Sequence, residues 1–427
     1  MTSHYNKSQK LINSVLTTED LDAVKERLRK TPEDYAPHVP RAENCTNEGL
    51  ESRWAIFPES DEAKNLLADT LTLSQMESYS RNIENFIGTV KVPIGLAGPL
   101  RVNGVHAQGD YYIPLATTEA ALVASYSRGA TLISLAGGCT SIMLNEGISR
   151  APAFAFDSVT GAGQFALWVI QNIEAIQKVI ESTTRYGKFS DLKVTVEGNN
   201  VYLGIEILPG DASGQNMVTI AADAVCEYLI ENAPLEPRYH FVEGNLSGDK
   251  KASALSLMSV RGKKVSAEVT IPAVLIEKVL KTSVEAMVDY WRMSAIGGVL
   301  SGTIGVQGHY ANGLAALYIA CGQDAACVSE SAIGVTRFEV TKNGDLYATA
   351  TLPNLIVGSV GGGTGLPSQL ACLQLMGLAG PGKARALAEV CAGVALAGEL
   401  SIIGALSAGH FTRAHRDLAR GKHDRNN

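Results

Sequence analysis

The segment EGNLSGDKKAS (243–253) places two lysines directly after an aspartate in a glycine-containing loop. The adjacent cations Lys250 and Lys251 could together neutralise an oxyanion as its charge develops and bind an acid group. A solvated basic turn explains the same residues when they are taken alone. Glu119, in PLATTEAALVAS (114–125), stands at the head of an apolar stretch, where an acid favours a helix N-terminus electrostatically. Beside a lysine, the same carboxyl would be suited to proton donation. Asp324, in YIACGQDAACV (318–328), is an acid inside an otherwise apolar run. Burying it alone costs roughly several kcal/mol, so it requires a nearby cation or a proton. His415, in GHFTRAHRDLARG (409–421), keeps company with Arg413, Arg416 and Arg420; a lone surface histidine needs no role.

Two glycine-rich loops could receive a phosphate. GDASGQNM (210–217) opens a helix, whose first N–H groups point outward, and GSVGGGTGLP (358–367) carries five glycines. Neither is a GxGxxG placed after a strand, so the ordinary dinucleotide fingerprint is absent.

These residues must be held by a mixed framework. KVPIGLAGPLRVNG (91–104) reads as strand and turn, and 116–136 as a helix with Thr117 or Thr118 at its N-cap. Between Pro152 and Phe241 a helix near 163–184 precedes two alternating strands, DLKVTVEG and NVYLGIEIL, around a turn at 198–200; a second helix follows through MVTIAADAVCEYLI. Helix, hairpin, helix reads as a small α+β module set into a larger domain. The first 80 or so residues read as helices and loops, and no internal repeat appears.

A chain of 427 residues, 46% of them hydrophobic, supports two or three domains. A net charge of −7 argues against a nucleic-acid partner and suits a cytoplasmic protein. Seven scattered cysteines without a CxxC pair predict neither disulfides nor a metal site. The N-terminus lacks the apolar core of a signal peptide, and Glu399 with recurrent glycines makes 388–410 a buried helix rather than a membrane span.

The same motifs occur together and in the same order in the hydroxymethylglutaryl-CoA (HMG-CoA) reductase family. ENFIGTVKVPIGLAGPL (84–100), PLATTEAALVASYSRG, GDASGQNM, GDKKAS, YIACGQDAA, VGGGTGLPSQLACLQ and AGELSIIGALSAGH resemble it over roughly residues 80–420. The form resembled most is class I, found in eukaryotes and some prokaryotes. The resemblance implies an α+β fold: a large, mainly helical domain (84–151 and 242–427) with an inserted ferredoxin-like cofactor domain (152–241), after an N-terminal helical region (1–83). It implies an obligate homodimer with the active site between subunits, no membrane partner, and NADPH-dependent four-electron reduction of an acyl-CoA thioester.

By motif, Lys250 is the oxyanion-stabilising cation, Asp324 and Glu119 its acidic network, and Glu119 the proton donor to the aldehyde oxygen. His415 protonates the departing CoA thiolate from a C-terminal flap. Arg185, Tyr186, Asp211, Asn216, Met217 and the run Gly361, Gly362, Gly363 and Thr364 fall to the cofactor; Arg185 suits its 2′-phosphate. Glu84, Asn85, Ser125, Arg128, Arg150, Glu243, Asp249, Lys251, Arg292 and Asn312 fall to the acyl-CoA substrate.

This chain departs from the family in places. Glu243 replaces a substrate-contacting serine, and a carboxylate there opposes a carboxylate-bearing acyl group. The lysine of the family's INKNL is missing near VDYWRMSAIGG, where Arg292 could substitute; Thr131 replaces one of two arginines at the CoA end. Gly421 stands where some members carry a phosphorylated serine, so that switch is not expected. Three readings follow: a divergent HMG-CoA reductase, a reductase of another acyl-CoA or acyl-carrier-protein thioester, and a non-catalytic homologue.

Overall fold

The computed structural model describes residues 5–18, 21–29, 36 and 38–409. Its backbone contacts divide the chain into two units, 1–89 and 90–427. The first unit carries helices α1 (Tyr5–Thr18), α2 (Leu21–Arg27), α3 (Asn47–Trp54), α4 (Asp61–Leu67) and α5 (Thr70–Ser74). Leu50, Trp54, Met76 and Phe86 form a small core in it. Beside them the buried Arg53 donates to the carbonyls of Ala42, Glu43, Asn44 and Phe86, so backbone dipoles rather than an acid hold this cation.

The second unit is built on one eleven-stranded sheet. Its strands are β1 (Ile94–Gly104), β2 (Gln108–Ala116), β3 (Cys139–Arg150), β4 (Ala153–Ala155), β5 (Lys188–Glu197), β6 (Asn200–Leu208), β7 (Tyr239–Phe241), β8 (Gly262–Ile271), β9 (Gly305–Val306), β10 (Gly334–Val340) and β11 (Leu346–Leu355). The order β7-β4-β6-β3-β8-β11-β10-β9 runs through the unit, with β5 on β6 and β1 joining β2 to β3. The mixed α+β class holds, and strands extend further through the large domain than its motifs indicate.

Strand β3 is long enough to serve two neighbourhoods: Thr140–Gly147 pairs with β8, and Ile148–Arg150 continues onto β6. Beyond that junction, β4, β5, β6 and β7 form an antiparallel patch in the order β7-β4-β6-β5. Helices α7 (Val159–Gln171) and α8 (Ile173–Ser182) lie between β4 and β5 in sequence, and α9 (Gln215–Asn232) between β6 and β7. Ser158 starts α7 by accepting the Gly161 N–H at 3.1 Å, earlier than the expected 163. At Asn172 the helix breaks; its side chain donates to the Trp168 carbonyl. The β5–β6 hairpin closes with Glu197 opposite Asn200, over a two-residue turn.

The remaining helices are α6 (Leu122–Leu135), α10 (Ala254–Met258), α11 (Ala273–Leu280), α12 (Val284–Ser301), α13 (Tyr310–Ala320), α14 (Val328–Ser331), α15 (Pro367–Leu375) and α16 (Ala384–Ser407). The expected helix from 116 with a threonine cap is corrected: strand β2 persists to Ala116, and Thr117 Oγ1 instead accepts the Glu119 N–H at 3.0 Å in a turn. Helix α6 begins only after Ala121, which is left-handed at φ +70°. The chain must swing off the sheet before it can turn into a helix, and the threonine serves the swing.

Helix α16 is long and apolar enough to cross a membrane, yet most of it is buried inside the protein. Its two acids explain how. Glu389 accepts the N–H groups of His106 (2.8 Å), Ala107 (2.7 Å) and Met143 (3.3 Å). Glu399 accepts those of Gly308 (2.7 Å) and His309 (2.9 Å) and the Thr336 hydroxyl (2.9 Å). Each carboxylate satisfies turn and strand-end donors that would otherwise be buried unpaired. Alanines and glycines along the helix allow close approach: a Cβ on Gly129 of α6 would lie 1.9 Å from the Ala397 carbonyl oxygen.

Gly129→Ala should therefore destabilise the protein by about 1–3 kcal/mol or more, because the obstacle is backbone. Gly163→Ala, in α7 with open space around it, should be neutral or stabilise by about 0.5–1 kcal/mol. Denaturant unfolding of the two variants checks the contrast.

Candidate active site

The DKK turn lies between β7 and α10, and its shape is set from beneath. Lys250 sits at φ +57°, a conformation costing a non-glycine residue on the order of 1 kcal/mol or more. Its N–H donates at 3.0 Å to Glu330, which is fully buried on α14. Arg261, only 2% exposed, donates to both Glu330 oxygens at 2.6 Å and to Asp249 Oδ1 at 2.7 Å. Asp249 Oδ2 in turn receives Arg150 Nη1 at 2.9 Å. A chain of alternating charge, Glu330–Arg261–Asp249–Arg150, thus runs under the lysine. Burial raises the Glu330 carboxyl, with Arg261 opposing it. Burial also pushes Asp249 up, but Arg261 and then Arg150 outweigh it and hold that carboxyl below its ordinary value.

With the backbone fixed, Lys250 Nζ reaches Asp324 Oδ2 at 3.0 Å. That hydrogen bond raises the lysine pKa against the opposing effect of burial. Asp324 Oδ1 accepts the Ala326 N–H at 3.0 Å, which aims the carboxylate. The expectation that Asp324 is buried is corrected: both side chains of the pair are 43% exposed. Asp324 ends the corner after α13, where the apolar run has already turned outward; the buried acid is Glu330, six residues on.

Both glycine loops meet this corner. Gly322 has φ +65°, and a Cβ there would come within 2.2 Å of the Gly363 carbonyl oxygen. Gln323 bonds Gly358 twice, donating to its carbonyl at 3.0 Å and accepting its N–H at 2.8 Å. The Asp211 carbonyl accepts the Ser359 N–H at 2.9 Å, while its carboxylate accepts those of Gly382 (2.7 Å) and Ala384 (3.3 Å) at the start of α16. Gln215 Nε2 lies 2.7 Å from Cys327 Sγ, whose thiol burial pushes up to about 12. The loops 210–217 and 358–365 and the Lys250–Asp324 pair are therefore one assembly. Gly361, Gly362 and Asn216 are exposed on it, Gly363 is half-buried and Thr364 is buried. Met217 packs where a Cβ on Gly187 would meet its sulfur, at the end of a turn that presents Arg185 and Tyr186 to solvent. Open backbone, a guanidinium and an aromatic ring at such loops fit a dinucleotide phosphate.

A second cluster lines a cavity of about 440 Å³ among α6, α13 and α16. Asn312 Nδ2 lies 3.3 Å from Glu119 Oε2. Ser125 and Arg128 are both tied to Ser401, at 2.8 Å each. His309 stacks on Tyr126 with ring centroids 5.6 Å apart and places Nδ1 3.3 Å from Glu399 Oε1. Among the described residues, no hydrogen bond or ion pair joins Glu119 to Lys250. The Glu119 cluster and the Lys250–Asp324 pair are separate groupings within one chain.

The model of the family described as hydroxymethylglutaryl-coenzyme A reductase matches residues 50–420. The chain belongs to the HMG-CoA reductase family. It is 44% identical over 352 residues to the 3-hydroxy-3-methylglutaryl-coenzyme A reductase of Pyrococcus horikoshii, covering 81% of this chain and 85% of the relative. The enzyme of the same name from Methanothermobacter thermautotrophicus is 46% identical over 351 residues, covering 81% and 87%. In shape the chain is similar to a class II 3-hydroxy-3-methylglutaryl-CoA reductase from Streptococcus pneumoniae, solved bound to NADPH in open conformations. The TM-score is 0.62 at 20% identity, over 82% of this chain and 85% of that one. Membership makes this chain an oxidoreductase.

Other expected residues of this HMG-CoA reductase family member are placed as follows. Lys251 Nζ donates to the Asp249 carbonyl at 2.8 Å. Arg292 is exposed on α12 and pairs with Asp289 at 3.0 Å. Glu84 and Asn85 belong to the first unit, where the Asn85 N–H donates to Asn44. Thr131 lies on α6, partly buried. His415 lies outside the described residues. Motif reading missed Arg261, Glu330 and His309. Glu330, in CVSESAIG, could have been found by the argument applied to Asp324, since it too interrupts an apolar run.

Two outcomes follow. Arg261→Met leaves Glu330 buried without its cation and should cost about 3–5 kcal/mol in chemical denaturation. The Asp324 bond raises the Lys250 pKa, so its stabilising part is complete below the unfolded lysine value and lost as pH rises through the folded one. Asp324→Asn should then lower turnover and move the alkaline limb of its pH profile to lower pH.

Proposed function

We propose that this enzyme reduces HMG-CoA to mevalonate and free CoA at the expense of two NADPH. The observation that carries the reading is the Lys250–Asp324 pair abutting two glycine loops with open backbone. NADPH, when bound, supplies hydride. Residues 210–217, 361–364, Arg185 and Tyr186 would hold it, with the Arg185 guanidinium toward the 2′-phosphate.

The chain's own groups complete the chemistry. Reduction of the thioester carbonyl places negative charge on oxygen, and the Lys250 ammonium, oriented by Asp324, stabilises it where it forms. The resulting hemithioacetal collapses to aldehyde and CoA thiolate, which His415 protonates so that it cannot re-add. In the second reduction Glu119 gives a proton to the aldehyde oxygen, completing the alcohol.

Glu119 and Lys250 stand in separate clusters, which supports a homodimer in which one subunit's Glu119 cavity faces its partner's lysine turn. The exposed apolar face of α12, with Met293, Ile296, Val299 and Leu300 at 63–83% exposure, supports such an interface. The β7-β4-β6-β5 order with two helical crossovers supports a ferredoxin-like cofactor module over 152–241. Free, buried cysteines suit the cytoplasm. The contact of Glu243 with Arg150 favours a second reading, in which other acyl-CoA or acyl-carrier-protein thioesters are also substrates.

Following NADPH absorbance with HMG-CoA tests the proposal. Two NADPH consumed per HMG-CoA is the expected stoichiometry; activity with other thioesters alone would transfer the reading to the second substrate class, and silence with all would leave a non-catalytic homologue. Lys250→Ala should abolish turnover while NADPH binding persists. His415→Ala should slow thioester reduction far more than reduction of the free aldehyde.

A further inference from the structure

The Arg150 guanidinium is 8% exposed and already faces two acids: Asp249 Oδ2 at 2.9 Å and Glu243 Oε2 at 3.5 Å. Glu243 is not there by accident of a mobile side chain. Its Oε2 also accepts the Ser247 hydroxyl at 2.8 Å and the Ala151 N–H at 3.3 Å, so three donors from three positions aim it. Its other oxygen, Oε1, is buried and has no hydrogen-bond partner. The contacting network holds two cations, Arg150 and Arg261, and three acids, Glu243, Asp249 and Glu330, for a net charge of −1. Lys250 is balanced by Asp324, and Lys251, donating to the Asp249 carbonyl, brings the neighbourhood to neutrality, so no free positive charge is left over for a substrate acid.

We propose that Glu243 is a specificity-determining residue, which occupies Arg150 as an acyl carboxylate would. This rests on the proposed thioester reduction and narrows its acyl class. An acyl group ending in a free carboxylate meets a cation already engaged by two acids, so it competes with Glu243 for Arg150. An acyl group ending in an uncharged amide or hydroxyl avoids that competition. The enzyme therefore accepts acyl thioesters with an uncharged distal end alongside HMG-CoA, and does not depend on the acid for its grip.

The test measures binding and turnover separately on the full-length protein. Calorimetry gives Kd for HMG-CoA and for its carboxamide analogue, with wild type, Glu243→Ser and the near-isosteric Glu243→Gln. Wild type should bind the amide at least as tightly as the acid. Both variants should shift the ratio toward the acid by about tenfold or more, the scale of one displaced charge in a partly buried site. The glutamine variant guards against a folding defect in the serine one. A wild-type preference for the acid that both substitutions weaken would overturn the inference, as would an unchanged ratio. NADPH oxidation in the same samples keeps the two claims apart. A shifted Kd ratio without any turnover sinks the reductase reading alone, turnover with an unmoved ratio sinks the Glu243 assignment alone, and failure to bind either thioester counts against both.

Discussion

Beneath the lysine turn lies a bargain between burial and charge. Glu330 is inside the protein because α14 packs into the core, and a carboxylate there is stable only with Arg261 against it. Arg261, itself buried, has donors left after Glu330 and spends one on Asp249. Glu330 likewise has acceptor capacity left and takes the Lys250 N–H. The left-handed backbone at Lys250 thus follows from the need to satisfy two buried ions. An apolar pair of similar volume would suit stability as well or better, but it would not hold the turn, and the ammonium would lose its aim at Asp324. The ionic network is retained for geometry.

The same logic recurs at α16. A helix this apolar would pack against the sheet in many rotations and registers, and its small residues discriminate weakly among them. Glu389 and Glu399 remove the ambiguity, because each must meet its own set of backbone N–H groups. Glu399 fixes the turn that starts α13, the helix carrying Asn312 beside Glu119; Asp211 caps the start of α16 and links it to the first glycine loop. The helix consequently touches both clusters, one at its N-terminus and one along its length. Movement at one end is constrained by packing at the other.

How far the sequence could be read depended on the range of the forces involved. Local signals came close: the hairpin turn read at 198–200 closes over 198–199, and the helix read through 217–230 spans Gln215–Asn232, because both depend on neighbours a few residues away. The threonine cap before Glu119 failed because the competing demand, completing β2, came from strand β1 across the sheet. Asp324 was singled out as a carboxylate needing a cation, and it has one; its burial was misjudged because the corner at Gly322 turns it outward. Arg261 escaped notice because nothing near it in sequence shows that its partner lies 69 residues away. Motif order singled out Glu119, Lys250 and Asp324, but only the fold shows that Glu119 stands in a different cluster from the Lys250–Asp324 pair.

That split bears on how reactivity is controlled. Here the ammonium has one acid, and the pair is nearly half exposed, so water screens the attraction until something covers it. Covering the pair excludes that water, strengthens every charge interaction at the carbonyl, and brings in whatever acid the covering surface carries. In the homodimer proposed above, the cluster bearing Glu119 would supply both effects in one step. Separation of the two clusters within one chain would then confine full electrostatic strength to that proposed assembly, so that the thioester is opened to a reactive aldehyde only where water is excluded.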